Sequence, residues 1–311
     1  MTGREIRSAV ITGPTGAIGT ALCRRLLRED IKVYAAVRPG SPRTANLPQH
    51  PLLRVIPCDI TALNRLPESV PEGGADAFFH LAWTDTTGSG RNNMKAQVQN
   101  IGCAVDAAAA AKALGCKVFL FAGSQAEYGR VSGLLTPDTP CFPENGYGMA
   151  KLCAGAMTRT DCEAAGIAHI RMRVLSVYGI HDGEGSMIST VIRKLLAGET
   201  PQLTAGEQRW DYLYADDAAE AFFLAARDGR DGAVYPLGSG QALPLRRYVE
   251  QLRDCIDPAL PLGFGAVPYS EKQVMHLQAD ISALTADTGF LPAYDFAAGI
   301  AETVRYYRQK G

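Results

Sequence analysis

An excess of charge of either sign is absent from this sequence of 311 residues, in which 31 Lys and Arg face 32 Asp and Glu. The resulting net charge of -1 provides no field that would concentrate a nucleic-acid backbone or an anionic membrane surface. We therefore expect neither nucleic acid nor a membrane as a partner.

A long hydrophobic run is also absent. The longest weakly polar stretch, residues 101–114, is rich in alanine but contains Asp106 and Lys112, so it is too short and too charged to span a bilayer. The first residues show no apolar segment followed by a cleavage site of small residues, which a secretory signal would have. Both observations favour a cytoplasmic protein.

Metal-ligand spacing is a third feature that the sequence lacks. The eight cysteines include no Cys-x-x-Cys pair, and none of the five histidines stands at a metal-ligand spacing from them. We predict no metal site, and we interpret most of the cysteines as buried thiols in a reducing compartment.

Short apolar segments alternate with amphipathic segments over residues 8–175. The predicted strands cover residues 8–12, 32–37, 52–57, 75–81, 117–122 and 169–175. The predicted helices between them cover residues 17–28, 93–114 and 147–165. Because the strands are apolar almost throughout, they indicate a parallel sheet that is covered on both faces. The sequence therefore predicts an α/β fold of the Rossmann type, with a doubly wound parallel sheet.

The pattern changes after Tyr178, where Gly and Pro interrupt shorter segments. A strand-like segment covers residues 210–214, and helices are predicted at residues 188–197, 216–227, 245–256 and 296–307. The length favours two domains, at about 150 residues each. We predict a dinucleotide-binding domain of residues 1–177 with about 206–234, and a smaller interleaved C-terminal substrate lobe of about 178–205 and 235–311.

Glycine is the residue type in excess, with 32 copies. Gly13, Gly16 and Gly19 follow the first predicted strand and precede the first helix. Glycines at these positions let the chain turn sharply and let a pyrophosphate approach the main chain, and the helix N-terminus offers free N–H donors. The spacing alone is weak evidence, but the strand-turn-helix setting indicates a dinucleotide site.

The choice of dinucleotide depends on the end of the second strand. Dinucleotide folds that prefer NAD carry an acid there, whereas this sequence has Arg38, with Arg43 close behind. Guanidinium groups pair well with a 2′-phosphate, so we favour NADP(H) as the cofactor. NAD stays possible, because Arg38 and Arg43 can also be solvated charges of a loop.

A tyrosine and a lysine follow at helical spacing. Tyr147 and Lys151 lie on one helix face, where the ammonium favours the ionised phenol. Ser124 follows the strand predicted at residues 117–122, on the crevice side of an open parallel sheet. Tyr306 and Lys310 repeat the spacing without an upstream strand and serine, so we interpret that copy as a solvent-exposed helix end.

Together these motifs resemble the extended short-chain dehydrogenase/reductase family, in particular its NAD(P)-dependent nucleotide-sugar epimerases, dehydratases and reductases. The resemblance covers nearly the whole chain, from the glycine turn to a Gly-Ser-Gly turn at residues 238–240. It implies that Tyr147 is the general acid and base, that Lys151 binds the nicotinamide ribose and tunes Tyr147, and that Ser124 hydrogen bonds to the reacting oxygen. It also implies a homodimer formed through the helices at residues 93–114 and 147–165.

The glycine turn and the resemblance together assign two sets of binding residues. The predicted cofactor contacts are Gly13, Thr15, Gly16, Ala17, Ile18, Gly19, Arg38, Asp59, Ile60, Leu81, Ala82, Trp83, Asn100, Tyr147 and Lys151. The predicted substrate contacts are Thr84, Ser124, Gln125, Ser176, Tyr178, His181 and Arg209. Structural roles stay open for three of these residues: Asp59 can cap a helix, His181 can be a solvated loop residue, and Arg209 can stack on Trp210.

The sequence departs from the family pattern at the contacts to the substrate. Ser176 stands where epimerases usually have Asn, and Trp210 stands where they usually have Arg, with Arg209 displaced by one position. Dehydratases typically carry an Asp-Glu pair after the serine or threonine, and no such pair occurs at residues 124–127, where Glu127 has no evident role.

These observations predict an NADP(H)-dependent oxidoreductase that reduces a keto group of a nucleotide-diphosphate sugar. One alternative is an NAD-dependent epimerase similar to the UDP-glucose 4-epimerases. Another is a reductase of a ketone without a nucleotide, as in related flavonoid-type reductases. A third alternative is a noncatalytic dinucleotide-sensing protein, because a fold alone does not imply a function.

Overall fold

The computed structural model describes residues 3–71, 73–183 and 185–310. The strands are β1 (Ser8–Thr12), β2 (Lys32–Val37), β3 (Leu53–Pro57), β4 (Ala77–His80), β5 (Val118–Ser124), β6 (Ala168–Val174), β7 (Ser176–Tyr178), β8 (Gln202–Leu203), β9 (Arg209–Trp210), β10 (Tyr212–Tyr214), β11 (Val234–Leu237), β12 (Leu243–Pro244) and β13 (Gly263–Phe264). The α-helices are α1 (Ala17–Leu27), α2 (Met94–Ala113), α3 (Gly146–Ala164), α4 (Met187–Leu196), α5 (Ala215–Asp228), α6 (Leu245–Ile256), α7 (Ser282–Thr288) and α8 (Phe296–Lys310).

Seven strands form one parallel sheet in the order β11-β6-β5-β4-β1-β2-β3. Its strands are apolar because both faces are covered: Leu22 and Phe222 of α1 and α5 pack on one face, and Ala104 and Ala107 of α2 pack on the other. The doubly wound Rossmann-type fold predicted from the sequence is confirmed. The strand order reverses between β1 and β4, which is where such sheets form their ligand crevice.

β5 ends two residues later than the sequence predicted. Its pairing with β6 continues to the partners Ser124 and Val174, so the strand ends at Ser124 instead of residue 122. Ser124 therefore stands at the carboxyl end of a central strand, where the following turn begins.

A second apolar cluster lies beyond the sheet, where Ile192 of α4, Val249 of α6 and Ile300 of α8 pack around Tyr178 and Tyr214. Ile192, Val249 and Ile300 fall within residues 178–205 and 235–311, which the sequence assigns to a smaller lobe. The last strand of the central sheet, β11, runs to Leu237, three residues past the limit of 234 expected for the sheet-forming segment. The two-domain division itself stays a prediction.

Asp211 divides the strand-like segment predicted at residues 210–214 into β9 and β10. Its buried carboxylate accepts hydrogen bonds from the backbone N–H groups of Ser239, Gly240 and Ala279 and from the Ser239 hydroxyl. One side chain thereby ties the turn at residues 238–240 to the C-terminal segment. Within the described ranges, no helix is both long and apolar enough to cross a membrane.

Candidate active site

The carboxyl ends of β1, β2 and β4 border a cavity of about 430 Å³ that includes the glycine turn. Gly13 has a φ of +69°, and a Cβ atom there would lie 2.8 Å from the Ala82 nitrogen. A Cβ atom on Gly19 would lie 2.3 Å from the Gly13 carbonyl oxygen. Only glycine fits either position, because the turn, α1 and the end of β4 approach so closely.

The same turn leaves donors available for an anion. α1 begins after Gly16, and no side chain in the described residues caps its first turn. Unpaired N–H groups and the helix dipole make such a terminus suited to a pyrophosphate. The residues present therefore fit the dinucleotide that the sequence predicted.

Two exposed arginines border the cavity at the end of β2. Arg38 and Arg43 both line it, and Arg43 Nη2 donates a hydrogen bond to the Thr15 carbonyl oxygen over 3.2 Å. Asp59 lies nearby, but its carboxylate caps the following turn by accepting from the Thr61 N–H at 3.0 Å and the Thr61 hydroxyl at 2.8 Å. These bonds hold the pKa of Asp59 below its usual value, and Arg38 adds a smaller effect. Asp59 thus has the capping role that the sequence left open, while it also borders the cavity.

The other predicted cofactor contacts fall into two groups. Six residues line the cavity: Thr15, Gly16, Ile60, Leu81, Ala82 and Trp83. Ala17 and Ile18 instead pack against the apolar core beside the turn.

Asn100 does not line this cavity, although the sequence placed it among the cofactor contacts. Its buried amide holds Thr84: Nδ2 donates to the Thr84 carbonyl oxygen at 3.0 Å, and Oδ1 accepts from the Thr84 N–H and hydroxyl. Asn100 therefore positions the segment after β4, of which Thr84 lines the cavity.

Tyr147 and Ser124 meet where α3 begins beside the end of β5. Asn145 starts this helix by accepting a hydrogen bond from the Gly148 N–H at 2.9 Å. Burial raises the pKa of Tyr147, while a hydrogen bond with Ser124 and the charge of Arg91 act against that rise. The phenol of Tyr147 is consequently protonated at neutral pH.

Lys151 is buried beneath Tyr147 on the same helix. Its Nζ atom donates to the Ala122 carbonyl oxygen at 2.6 Å and lies 3.9 Å from the Trp83 ring centroid. Burial lowers the pKa of Lys151 to about 7, although Glu127 favours the charged form. The ammonium lies 5.9 Å from the ring centroid of Tyr147, on the face shared with the tyrosine as predicted.

Two residues beside Tyr147 have roles that the sequence did not reveal. The Trp83 ring contacts Tyr147 edge-on at 6.3 Å, and its Nε1 donates to Gln97 at 2.9 Å. Arg91 places its guanidinium carbon 4.9 Å from the Tyr147 ring centroid. Arg91 carries no motif signal because it is a single cation in a polar loop.

Glu127, which had no evident role in the sequence, is fully buried beneath the turn after β5. Its Oε1 accepts from the Ser124 N–H at 2.8 Å, and its Oε2 accepts from Arg173 Nε at 2.9 Å and lies 3.5 Å from Arg171 Nη1. Two arginines and a backbone amide thus hold this carboxylate in place. Glu127 therefore fixes the backbone that presents Ser124.

Ser176, Tyr178 and Trp210 border a separate cavity of about 420 Å³. Ser176 accepts a hydrogen bond from Trp210 Nε1 at 2.8 Å. Arg209 does not line the cavity, because its guanidinium donates to the Ala242 carbonyl oxygen. Gln125, also predicted as a substrate contact, borders a further cavity beside the start of α3.

His181 does not line the cavity that Ser176 and Tyr178 border. It has a left-handed φ of +65°, and its Nδ1 lies 2.8 Å from the Tyr306 hydroxyl. Both residues border another cavity, of about 1050 Å³, near the end of α8. Tyr306, interpreted from the sequence as part of a solvent-exposed helix end, is instead half-buried against His181. In the part of the chain that the structure describes, no group of three or more His, Cys, Asp or Glu could hold a metal ion.

Comparison with known proteins relates this site to a family. The family model of the "NAD dependent epimerase/dehydratase family" matches residues 9–238. A dTDP-glucose 4,6-dehydratase of Xanthomonas campestris pv. campestris is 28% identical over 202 residues, which cover 61% of this chain and 57% of that protein. The match thus spans somewhat more than half the length of that relative.

Solved structures resemble the whole chain. A UDP-N-acetylglucosamine 4-epimerase from Methanobrevibacter ruminantium, in complex with UDP-N-acetylmuramic acid, is 25% identical with a TM-score of 0.88, covering 99% of this chain and 100% of that one. A UDP-glucuronic acid 4-epimerase from Bacillus cereus, in complex with NAD, is 20% identical with a TM-score of 0.83, covering 97% of both chains. At 20% identity, the likeness to the Bacillus cereus enzyme shows a shared fold alone.

The residues matched by the family model include the glycine turn, Ser124, Tyr147 and Lys151. The chain therefore belongs to the NAD dependent epimerase/dehydratase family.

Proposed function

We propose that this protein is an NADP(H)-dependent oxidoreductase that reduces a keto group of a nucleotide-diphosphate sugar. The observation that carries the proposal is the contact between Ser124 and a protonated Tyr147. They lie near the cavity that includes the glycine turn, and Arg38 and Arg43 line that cavity. Reduction of a ketone needs a proton donor, and the raised pKa of Tyr147 keeps its phenol in that state.

The cofactor would be held by several parts of the chain. The turn at Gly13 and the first amides of α1 would take the pyrophosphate, and Lys151 would take the nicotinamide ribose. Arg38 and Arg43 would take a 2′-phosphate, because guanidinium groups pair with phosphate in a bidentate manner. When bound, the reduced nicotinamide supplies the hydride for the carbonyl carbon.

The protein's own residues manage the oxygen of that carbonyl. Ser124 orients the oxygen by a hydrogen bond, and Tyr147 delivers a proton to it as negative charge develops. Lys151 Nζ is fixed by its hydrogen bond to the Ala122 carbonyl oxygen. Because burial lowers the pKa of Lys151 to about 7, this group can gain and release a proton near neutral pH. Tyr147 can therefore recover its proton between turnovers.

An NAD-dependent 4-epimerase is the second candidate. The likeness to the Methanobrevibacter ruminantium epimerase over the whole chain favours it. An epimerase would use Tyr147 first as base and then as acid, and it would return the same hydride to the sugar. Dehydration is disfavoured, because Gln125 and Ala126 follow Ser124 and the carboxylate of Glu127 is bound by Arg173.

A noncatalytic sensor of the dinucleotide would need none of Ser124, Tyr147 and Lys151. All three are present, and they lie within one site. We therefore prefer an enzyme over a sensor, and over a protein that only retains the fold.

Dissociation constants test the choice of cofactor. We expect NADPH to bind at least about tenfold more tightly than NADH, and Arg38→Ala to remove most of that difference, because a charge-assisted contact to the 2′-phosphate is lost. Arg65→Ala is the matched control, since Arg65 is an exposed arginine that pairs with Glu68. A preference for NADH that Arg38→Ala leaves unchanged would contradict the assignment.

Nicotinamide absorbance separates the two candidate reactions. A reductase oxidises one NADPH for each keto sugar nucleotide that it converts, so the absorbance falls in proportion to product. An epimerase leaves the absorbance unchanged over many turnovers while the two epimers interconvert. That second result would replace the proposed reduction by the epimerase.

A further inference from the structure

A cavity of about 300 Å³ lies beside the start of α3, next to the site of Tyr147. Three cationic side chains line it, Arg91, Arg130 and Lys272, together with one carboxylate, Glu144. Asn145, the residue that starts α3, also lines it. The cavity therefore lies between the loop after β4 and the start of the helix that carries Tyr147.

The charges in this cavity are not balanced. Arg130 Nε donates to both carboxylate oxygens of Glu144, at 2.9 and 2.7 Å, and this pairing keeps the pKa of Glu144 below its usual value. Arg91 and Lys272 form no ion pair with any residue that the structure describes. With one carboxylate already engaged by Arg130, the cavity carries a net positive charge.

Arg91 is the cation of this cavity that contacts the Tyr147 ring. Its guanidinium carbon lies 4.9 Å from the Tyr147 ring centroid, and its Nε atom is buried without a hydrogen-bond partner among the described residues. A buried donor without an acceptor is unfavourable unless a ligand supplies the acceptor. The planar guanidinium suits a carboxylate, which accepts two parallel hydrogen bonds.

We propose that Arg91 and this cavity bind a carboxylate carried by the sugar of the substrate. Tyr147 must face the reacting carbon of that sugar, so a group that contacts Arg91 beside Tyr147 is a substituent of the sugar ring. The substrate class is then a nucleotide-diphosphate sugar with an acidic group, such as a hexuronic acid. This inference rests on the proposed function and adds the chemical class of its substrate.

Binding of matched ligands tests the inference. The probes are UDP-glucuronic acid and UDP-glucose, and their dTDP counterparts, titrated into the protein with NADP⁺ present. We expect the acidic member of a pair to bind at least about tenfold more tightly, because of a charge-assisted bidentate contact. Arg91→Gln should bring the two dissociation constants within about twofold, and Arg91→Lys should keep part of the preference.

The control variant is Arg65→Gln, which removes an exposed arginine on another part of the surface and should leave the preference intact. Equal binding of the acidic and neutral members to the unaltered protein would overturn the inference while the proposed function stands. A preference for the acidic member that Arg91→Gln retains would also overturn the inference and leave the proposed function standing.

A second measurement does not depend on the nucleotide base. In NMR spectra of the side-chain Nε–H groups, the Arg91 signal is identified by its loss in Arg91→Lys. We expect free glucuronate to shift this signal and glucose to leave it in place. If no nucleotide sugar binds but glucuronate shifts the signal, the carboxylate subsite stands and the nucleotide-sugar proposal fails. A signal that does not respond, together with no preference among the nucleotide sugars, contradicts the subsite.

Discussion

Tyr147 depends on its immediate neighbours for its protonation state. Burial favours the neutral phenol, whereas the hydrogen bond with Ser124 and the charge of Arg91 favour the phenolate. Burial dominates, so the pKa of Tyr147 lies above its usual value. A proton donor is therefore ready before the substrate binds, and this state suits reduction better than oxidation.

Replacement of Tyr147 by Phe removes the hydroxyl and keeps the ring between Trp83 and Arg91. We expect kcat to fall by about 10²–10⁴-fold, the usual contribution of a positioned general acid, with the melting temperature nearly unchanged. In the unaltered enzyme, kcat for reduction should decline as the pH rises through the pKa of Tyr147. Full activity of Tyr147→Phe would rule out both the reductase and the epimerase mechanisms.

The connection from β5 to α3 is fixed at the scale of elements by one buried cluster. Glu127 joins the N–H group of Ser124 to Arg171 and Arg173 of β6, so one buried carboxylate holds the end of β5 to its neighbouring strand. Removal of one partner from a buried pair leaves an uncompensated charge, which is more costly than the loss of the pair itself.

Glu127→Gln should therefore lower the free energy of unfolding by about 3–5 kcal/mol, measured by urea denaturation. The matched control is Glu144→Gln, which removes the partner of Arg130 on the surface and should cost about 0–1 kcal/mol. Equal effects of the two substitutions would show that the buried cluster does not stabilise the connection.

Sequence spacing was sufficient for part of this site and insufficient for the rest. The glycine turn, Ser124 and the Tyr147–Lys151 pair lie within or beside single elements, so local spacing and strand order predict their positions. The contacts of Arg91 and Glu127 join segments that are far apart in the chain, and no local pattern marks them. Arg209 and His181 were predicted from the sequence as substrate contacts. They bond instead to Ala242 and Tyr306, which are distant in the chain, so local spacing could not reveal these bonds.

Two buried histidines affect the stability of the whole molecule. His80 lies within hydrogen-bond distance of the Thr12 hydroxyl, and His169 of the Thr158 hydroxyl, both at 3.0 Å. Burial lowers the pKa of each to about 3. The unfolded chain protonates them near pH 6.5, so stability is present above that pH and is lost as the pH falls towards 3.

Near pH 4.5 the unfolded state binds two more protons than the folded state. The free energy of unfolding should therefore fall by about 2.7 kcal/mol for each unit by which the pH is lowered. His169→Asn should halve the contribution of the two histidines to this slope, as measured by urea denaturation at several pH values. His50→Gln is the control, because His50 is exposed. A slope that His169→Asn leaves unaltered would contradict the assignment.

The expected homodimer concerns a surface of the whole molecule. Met94 and Val98 of α2 and Met149 and Met157 of α3 are exposed apolar side chains of the two helices that the resemblance assigns to the interface, with Val98 66% exposed. We expect sedimentation to give a dimer, and Val98→Asp to shift it towards monomer, since a charge in an apolar interface is costly. Leu291→Asp, at a 67% exposed position outside these helices, should leave the dimer intact. A monomeric unaltered protein would contradict the expectation.

Isotopic labelling of the hydride distinguishes reduction of the sugar from the alternative reactions. NADPH that carries deuterium at the transferred position is incubated with a keto sugar nucleotide, and the product is analysed by mass spectrometry. We expect one deuterium in the product for each NADPH oxidised, and almost no labelled product with Tyr147→Phe. A converted sugar without deuterium, or label transfer that Tyr147→Phe leaves unchanged, would contradict the proposed reduction.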